Sequence, residues 1–215
     1  TETFMIEKTD QYEEVLEAWR KRSREWDWEK RFKELGLSGY TKEKIVLDYY
    51  GTPCQWDPQT GRLFEEGAPE RKMTFSAQMN IYNLICREEP HPRLSGRWIP
   101  LREVKRAYPF APAFQAATLI PFAKFFDGKI EYLTAAGQAM GFRSIKESEA
   151  GLEAQVFSCL PIRFLFWDGD DEFPAQANIL FDAKVTEFLH EESVVMIGQD
   201  GAEKLMKKAE ERMKG

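Results

Sequence analysis

Residues 160–182 read LPIRFLFW, then DGDDEFP, then AQANILFD. Ile162–Trp167 is an apolar and aromatic run of strand length. Ala175–Phe181 alternates, with Ala177, Ile179 and Phe181 on one side and Gln176, Asn178 and Leu180 on the other. Alternation at period two marks a strand with one covered face. Asp168–Pro174 supplies the turn residues that join the two as a hairpin. Glu153–Ser158 reads as a further strand before them.

Working outward, the rest of the chain supplies helices. Tyr12, Val15, Leu16, Trp19 and Trp26 fall on one helical stripe that Phe32 and Leu35 continue. Asp10 suits an N-cap with Glu13 three residues on, and Gly36 suits a stop, so the spacing predicts one long helix over Asp10–Leu35. Its three tryptophans read as packing residues. Lys44–Tyr50 and Arg62–Glu65 read as a β-hairpin joined through Asp57–Gly61. Thr74–Arg87 is a helix capped by Thr74 or Ser76 that buries Met79, Tyr82, Leu84 and Ile85. Trp98–Leu101 leads into a short helix near Arg102–Ala107, a helix is expected from about Ala116, and others over Lys129–Phe142 and Asp200–Lys214. Strands and helices come in runs, not in strict alternation. That predicts an α+β single domain with a mostly antiparallel sheet, helices packed on one face and a long N-terminal helix. Residues 1–36 could form a semi-detached helical arm.

Composition narrows the function. The net charge is −6, and the basic run Arg20–Arg24 is interleaved with Glu17, Glu25 and Asp27. A nucleic-acid binder needs a basic stripe to displace counterions, so no nucleic-acid partner is expected. The most apolar stretch, Tyr108–Phe126, contains Pro109, Pro112 and Pro121 with Gln115 and Lys124. This makes a membrane span unlike it. Cys54, Cys86 and Cys159 are odd in number and far apart, and no CxxC occurs. A disulfide framework and a four-thiolate cluster are therefore not available, and a reducing, cytoplasmic setting follows. The strongly charged Thr1–Glu17 does not read as a signal peptide. GxSxG, Walker A, GxGxxG after a strand and HExxH are all absent.

Three features could carry chemistry. Asp168, Asp170, Asp171 and Glu172 place four carboxylates within five residues, and Asp182 follows at the far end of the return strand. Hard cations want converging carboxylate oxygens, so Asp168, Asp170, Glu172 and Asp182 are candidate ligands for a divalent cation such as calcium or magnesium. The same loop also reads as structural: Gly169 sets the turn, Trp167 and Phe173 pack, and the carboxylates hold loop amides. His91, in a proline-flanked loop, and His190, before Glu191-Glu192, could each ligate a metal or a tetrapyrrole. Finally, Tyr108–Phe126 could wall a pocket for a flat apolar ligand, fill the core, or present a partner surface. Trp98, Phe110, Phe114 and Phe122, with His91, are the candidate cofactor-binding residues.

From Leu160 the chain resembles the C-terminal segment of the family named domain of unknown function 3786. Trp167, Gly169, Asp170, Glu172, Phe173, Pro174 and Ala175 match its W-x-G-D-x-E-F-P-A pattern, followed by Leu180-Phe181-Asp182 and the acidic helix start Glu191-Glu192. Upstream, Gly96-Arg97-Trp98 and Leu101-Arg102-Glu103 are similar to its G-[KR]-W-x-x-[FL]-R-E element. The resemblance covers roughly Ile45–Gly198. It implies no assigned activity, but it does imply company: members occur mainly in anaerobes, and some carry an added four-cysteine iron–sulfur module that this chain lacks. The resulting expectation is a non-catalytic ligand-binding or accessory protein of anaerobic metabolism. It would hold a corrinoid or haem, or dock on a redox or iron–sulfur protein partner. The alternative is a divalent-metal-assisted enzyme using the acidic loop.

Overall fold

A computed structural model describes residues 2–214, with side chains from Gln11 onward. The first half runs α1 (Glu2–Arg24), α2 (Trp28–Leu35), β1 (Ile45–Tyr49), β2 (Thr52–Trp56), β3 (Leu63–Glu65), α3 (Phe75–Ile85) and β4 (Trp98–Pro100). The second half runs α4 (Ala111–Phe114), α5 (Ile120–Phe126), α6 (Ile130–Ala139), β5 (Arg143–Ile145), β6 (Ala150–Phe157), β7 (Leu160–Trp167), β8 (Gln176–Asp182), α7 (Val185–Phe188) and α8 (Glu191–Lys214). The strands form two antiparallel sheets, ordered β1-β2-β3 and β4-β8-β7-β6-β5. The fold is α+β, as the sequence predicts.

The larger sheet is covered on one face. Leu152, Ala154, Ile162, Phe164, Phe166, Ile179 and Phe181 are buried beneath helices. Phe122 and Phe126 of α5 meet Phe164 and Phe166, and Phe114 meets Phe181. The other face carries charge. Glu153 accepts from Arg143 Nη2 at 2.7 Å and from Arg163 Nε at 2.8 Å. The Arg163 guanidinium lies 4.0 Å from the Trp98 ring centroid. Period two thus sorts apolar from charged side chains across the sheet.

Several boundaries differ from the sequence expectation. The N-terminal helix is broken at Glu25–Asp27: Asp27 caps α2 by accepting from Lys30 N at 3.0 Å, and the Trp28 indole donates to Ser23 O at 2.8 Å. α1 already encloses Asp10, whose side chain lies outside the described residues. Leu16, Arg20 and Ser23 of α1 are buried, and Trp19 stacks on Tyr82 of α3. The expected pairing of Lys44–Tyr50 with Arg62–Glu65 is corrected by β2, which lies between them. Tyr50 and Gly51 turn the chain back at once, with φ of 52° and 74°. Two consecutive left-handed residues are what a two-residue hairpin turn requires. Asp57 does shape a turn, but between β2 and β3: its carboxylate accepts from Gln59 N at 2.9 Å and Thr60 Oγ1 at 2.6 Å.

Tyr108–Phe126 is helical nearly throughout. A 3₁₀ turn (Tyr108–Phe110), α4, a π turn (Gln115–Leu119) and α5 follow one another. The prolines do not break it, because Pro109, Pro112 and Pro121 each fall in the opening residues of a piece, where the hydrogen-bond spacing changes and a missing N–H is accommodated. α8 begins at Glu191, nine residues before the expected Asp200, and buries Ser193, Val194 and Ile197 in its extra turns.

Gly198 and Gly201 explain how α8 reaches the sheet. A Cβ at Gly198 would lie 2.8 Å from Phe114 Cζ; one at Gly201 would lie 2.4 Å from Phe164 Cζ and 2.6 Å from the Tyr50 hydroxyl. Closely packed interiors relax little around added volume. Gly201→Ala is therefore expected to destabilise the protein by about 1–3 kcal/mol in urea unfolding. Glu203→Ala, on the exposed side of the same helix, should stay within about 0.5 kcal/mol. Equal effects would contradict the close approach.

Candidate functional site

The structure separates the residues expected to bind a cofactor. Phe114 and Phe122 are buried, at 2% and 1% exposure, and pack on the covered face of the large sheet. Trp98 lies on its opposite face, beneath Arg163, because its neighbour Ile99 takes the buried side opposite Phe181. Phe110 is half-buried on the 3₁₀ turn. His91 is exposed, with φ of 50°, beside Asp27, Lys30 and Glu34 of the α2 region. The five therefore do not form one pocket. Phe114 and Phe122 fill the core because the π turn and α5 roll their apolar side onto β7 and β8.

The acidic set does not converge either. Asp182 is buried and accepts from Ser95 N and Oγ, Gly96 N and Lys184 N at 2.8–3.0 Å. It pins the strand leading into β4. The seven residues of β8 place it roughly 20 Å from the loop at the other end of the strand. In that loop Asp168 accepts from Gly128 N at 2.7 Å and Gly169 N at 3.1 Å. Asp170 accepts from Glu172 N at 2.8 Å and Phe173 N at 2.7 Å. The amides of Phe173 and Glu172 hold the Asp170 carboxyl below its ordinary range. Glu172 is exposed. Among the described residues, no group of three or more His, Cys, Asp and Glu side chains is placed to hold a metal ion. The loop is thus hydrogen-bonded as its structural reading expects, with two corrections. Phe173 and Trp167 do not pack the core, being 62% and 36% exposed. Gly169 serves close approach: a Cβ there would lie 2.7 Å from Asp127 Oδ1.

The arrangement that does form a site was not anticipated. A cleft of about 530 Å³ opens where α1, the C-terminal half of α3 and the first turns of α8 meet. This volume suits a small ligand. Trp19, Met79 and Met196 supply apolar wall, Asn83, Arg22, Arg87 and Ser193 supply polar groups, and Glu88, Glu89 and Glu192 add carboxylates. Arg22 is fixed by stacking 5.1 Å from the Trp19 centroid and 5.5 Å from that of Trp26, and it donates to Cys86 O at 3.1 Å. Arg87 donates to Thr186 O through one guanidinium nitrogen, while its Nε has no partner among the described residues. Ser193 is 1% exposed and its hydroxyl also lacks a partner. Both atoms are buried just behind the cleft surface, where a polar group without a partner is costly, so a ligand's acceptor oxygen reached by a small side-chain adjustment would stabilise them.

Cys86 and His190 both line the cleft, where His190 is engaged with Glu191 and Glu192. The thiol is unsuited to Cys–His catalysis: burial pushes Cys86 up to about 12, outweighing the opposing pull of Arg22 and Arg31. Burial pushes Cys54 and Cys159 up to about 12 as well. His190 uses Nδ1 to accept Glu192 N at 3.3 Å, capping α8. Metal ligation through Nε2 of a neutral ring needs Nδ1 protonated, so it would break that cap.

A second polar cluster is internal. Asp200 of α8 accepts from the Tyr49 hydroxyl of β1 and, at 2.7 Å, from Ser76 Oγ at the start of α3. Asn80 Nδ2 donates to the Tyr49 hydroxyl at 2.9 Å. Burial raises the Asp200 carboxyl against the hydrogen bonds from Tyr49 and Ser76, which lower it. The cluster ties the small sheet to α3 and α8.

This is a two-sheet α+β domain with a ligand-sized cleft formed by three helices. It belongs to the family described as Domain of unknown function (DUF3786), whose model matches residues 27–203. The match reaches past the expected Ile45 start to include α2. No curated protein matches the chain, and no solved structure matches it.

The raised Asp200 carboxyl fixes a sign. Its folded-state value lies above its unfolded value, so the folded protein takes up the proton first as pH falls. Between those two values stability rises with falling pH. Wild type should accordingly gain stability relative to Asp200→Asn on going from pH 7 towards pH 4, in paired urea titrations. A relative loss would contradict the assignment.

Proposed function

We infer that the protein is a non-catalytic ligand-binding accessory protein whose seat is the cleft between α1, α3 and α8. The observation that carries this reading is a cleft walled by Trp19, Met79 and Met196, behind whose surface Arg87 Nε and Ser193 Oγ lie buried without a partner among the described residues. An apolar body suits that lining when its acceptor oxygen meets Arg22 and Arg87 and stays clear of Glu88, Glu89 and Glu192. Thiols held protonated and a capped His190 support binding in preference to catalysis. Corrinoids and haem are the ligand class we propose, held by peripheral acceptor groups and apolar contact and not through a histidine–metal bond. Their choice, the anaerobic setting and a redox or iron–sulfur partner rest on the family resemblance. A cytoplasmic location rests on three free cysteines. No helix among the described residues is long and apolar enough to cross a membrane.

The test is isothermal titration of the full chain with haemin and with cobalamin. One saturable equivalent per chain is expected, weakened about tenfold or more by Arg87→Met and by Met79→Trp, which fills the cleft. Phe110→Ala and His91→Ala should leave affinity unchanged. Binding that depends on His91 or Phe110 but not on Arg87 overturns the cleft. Failure of both tetrapyrroles overturns the ligand class.

A further inference from the structure

β8 has an open edge. β4 pairs with it only over Trp98–Pro100, opposite Asp182, Phe181 and Leu180. Beyond Pro100 the chain turns into a 3₁₀ helix, and among the described residues no strand lies beside Gln176–Ile179 on that side. The backbone alternation identifies which groups are left. Ala183 N donates to Arg97 O at 2.8 Å, so odd-numbered residues here direct their backbone groups towards β4. Ile179 follows: its N–H does not reach β7 but is held by Asn178 Oδ1 at 2.9 Å. Ala177 is next in the series and faces the gap.

The gap is a groove of about 590 Å³, walled across from the strand by Leu119 and Ala123, with Pro174, Ala175 and Ala177 on the strand side. Ile120 of its lining stands 56% exposed, and Phe173, next in the chain to the lining residue Pro174, 62%. An edge defended only against aggregation carries charge or proline within the strand. Gln176–Ile179 carries neither; Lys124 and Asp127 offset one another in the groove lining, and the excess of charge is acidic, with Asp170, Asp171 and Glu172 exposed in the loop at one end.

We propose that this edge accepts an extended segment of a protein partner, added as a strand alongside Ala175–Ile179. That segment sets apolar residues at alternate positions for the groove and lysine or arginine at the end that meets the acidic loop. A main-chain hydrogen bond to Ala177 supplies affinity, Ile179, at 1% exposure, joins only when Asn178 Oδ1 is displaced, and the loop supplies selection by charge. The surface shares no lining residue with the cleft.

The probe is a synthetic peptide of alternating lysine and valine, with a glutamate–valine peptide as control, titrated into the isotopically labelled full chain and followed by amide NMR. The Lys–Val peptide should perturb and protect the amides of Ala177 and Ile179 and bind at least about tenfold tighter than its control. Ala177→Pro, which removes the edge donor, should abolish binding. Asp171→Lys with Glu172→Lys, in the exposed loop, should erase the preference for lysine. If Ala177→Pro fails to fold, the amide map and the charge variant decide. Perturbations confined to residues 168–173, or no binding, overturn strand addition. A concentration-dependent dimer with Ala177 protected in the absence of peptide overturns the foreign partner in favour of a second copy.

Discussion

The close approach of α8 to the large sheet is the contact on which the remainder depends. Gly198 and Gly201 present no side chain where Phe114, Phe164 and Tyr50 come against the helix. The same economy recurs in α6, where a Cβ at Gly137 would lie 2.6 Å from Leu152 Cδ1. Glycine weakens an isolated helix by about 1 kcal/mol, so its use here shows that packing, not propensity, holds α8 together. Once seated, α8 does two further things. It carries Asp200 to Tyr49 and Ser76, joining the small sheet to α3, and it brings Ser193 and His190 beside α1 and α3 to close the cleft.

A second buried group sets the opposite wall. Arg31 of α2 is 1% exposed; its Nε donates to Leu84 O at 3.1 Å and its Nη1 to Glu89 O at 2.7 Å. A guanidinium at the end of α3 satisfies carbonyls that the helix leaves open and suits the negative end of its dipole. Glu34 pairs with it at 3.2 Å. This fixes the path of residues 86–89 and with it the placing of Cys86 and Arg87. Arg31 and Asp200 are therefore charges retained for position, each holding together elements distant in sequence.

The strands β7 and β8 were legible because an apolar run of strand length and a period-two alternation stand on either side of a hairpin loop. The turn chemistry of Asp168 and Asp170 was legible for the same local reason. β2 was not: it begins after a turn that puts Tyr50 in a left-handed conformation, and Pro53 argues against a strand. The helix through Tyr108–Phe126 was obscured because proline at a first turn and proline inside a helix look alike until the boundaries are known. The cleft was illegible for a different reason. Its donors come from three helices, at positions 19–22, 79–87 and 190–196, and none belongs to a motif. A signal was present in α3, where Met79, Asn83 and Cys86 recur at helical spacing apart from the buried Ile81, Leu84 and Ile85. Met79 was read as core on that stripe, whereas it is a half-buried wall.

The organising role of α8 is open to direct measurement by native-state hydrogen exchange along a denaturant series. If the helix is locked against the sheet through Gly198 and Gly201, the amides of Ile197–Leu205 will exchange only by global unfolding, with the same free energy as those of Phe164 and Phe166 in β7. Exchange of α8 through a lower-energy opening, while β6 to β8 stay protected, would contradict the account. It would make α8 a peripheral element instead of the one that holds the two sheets and the cleft in place.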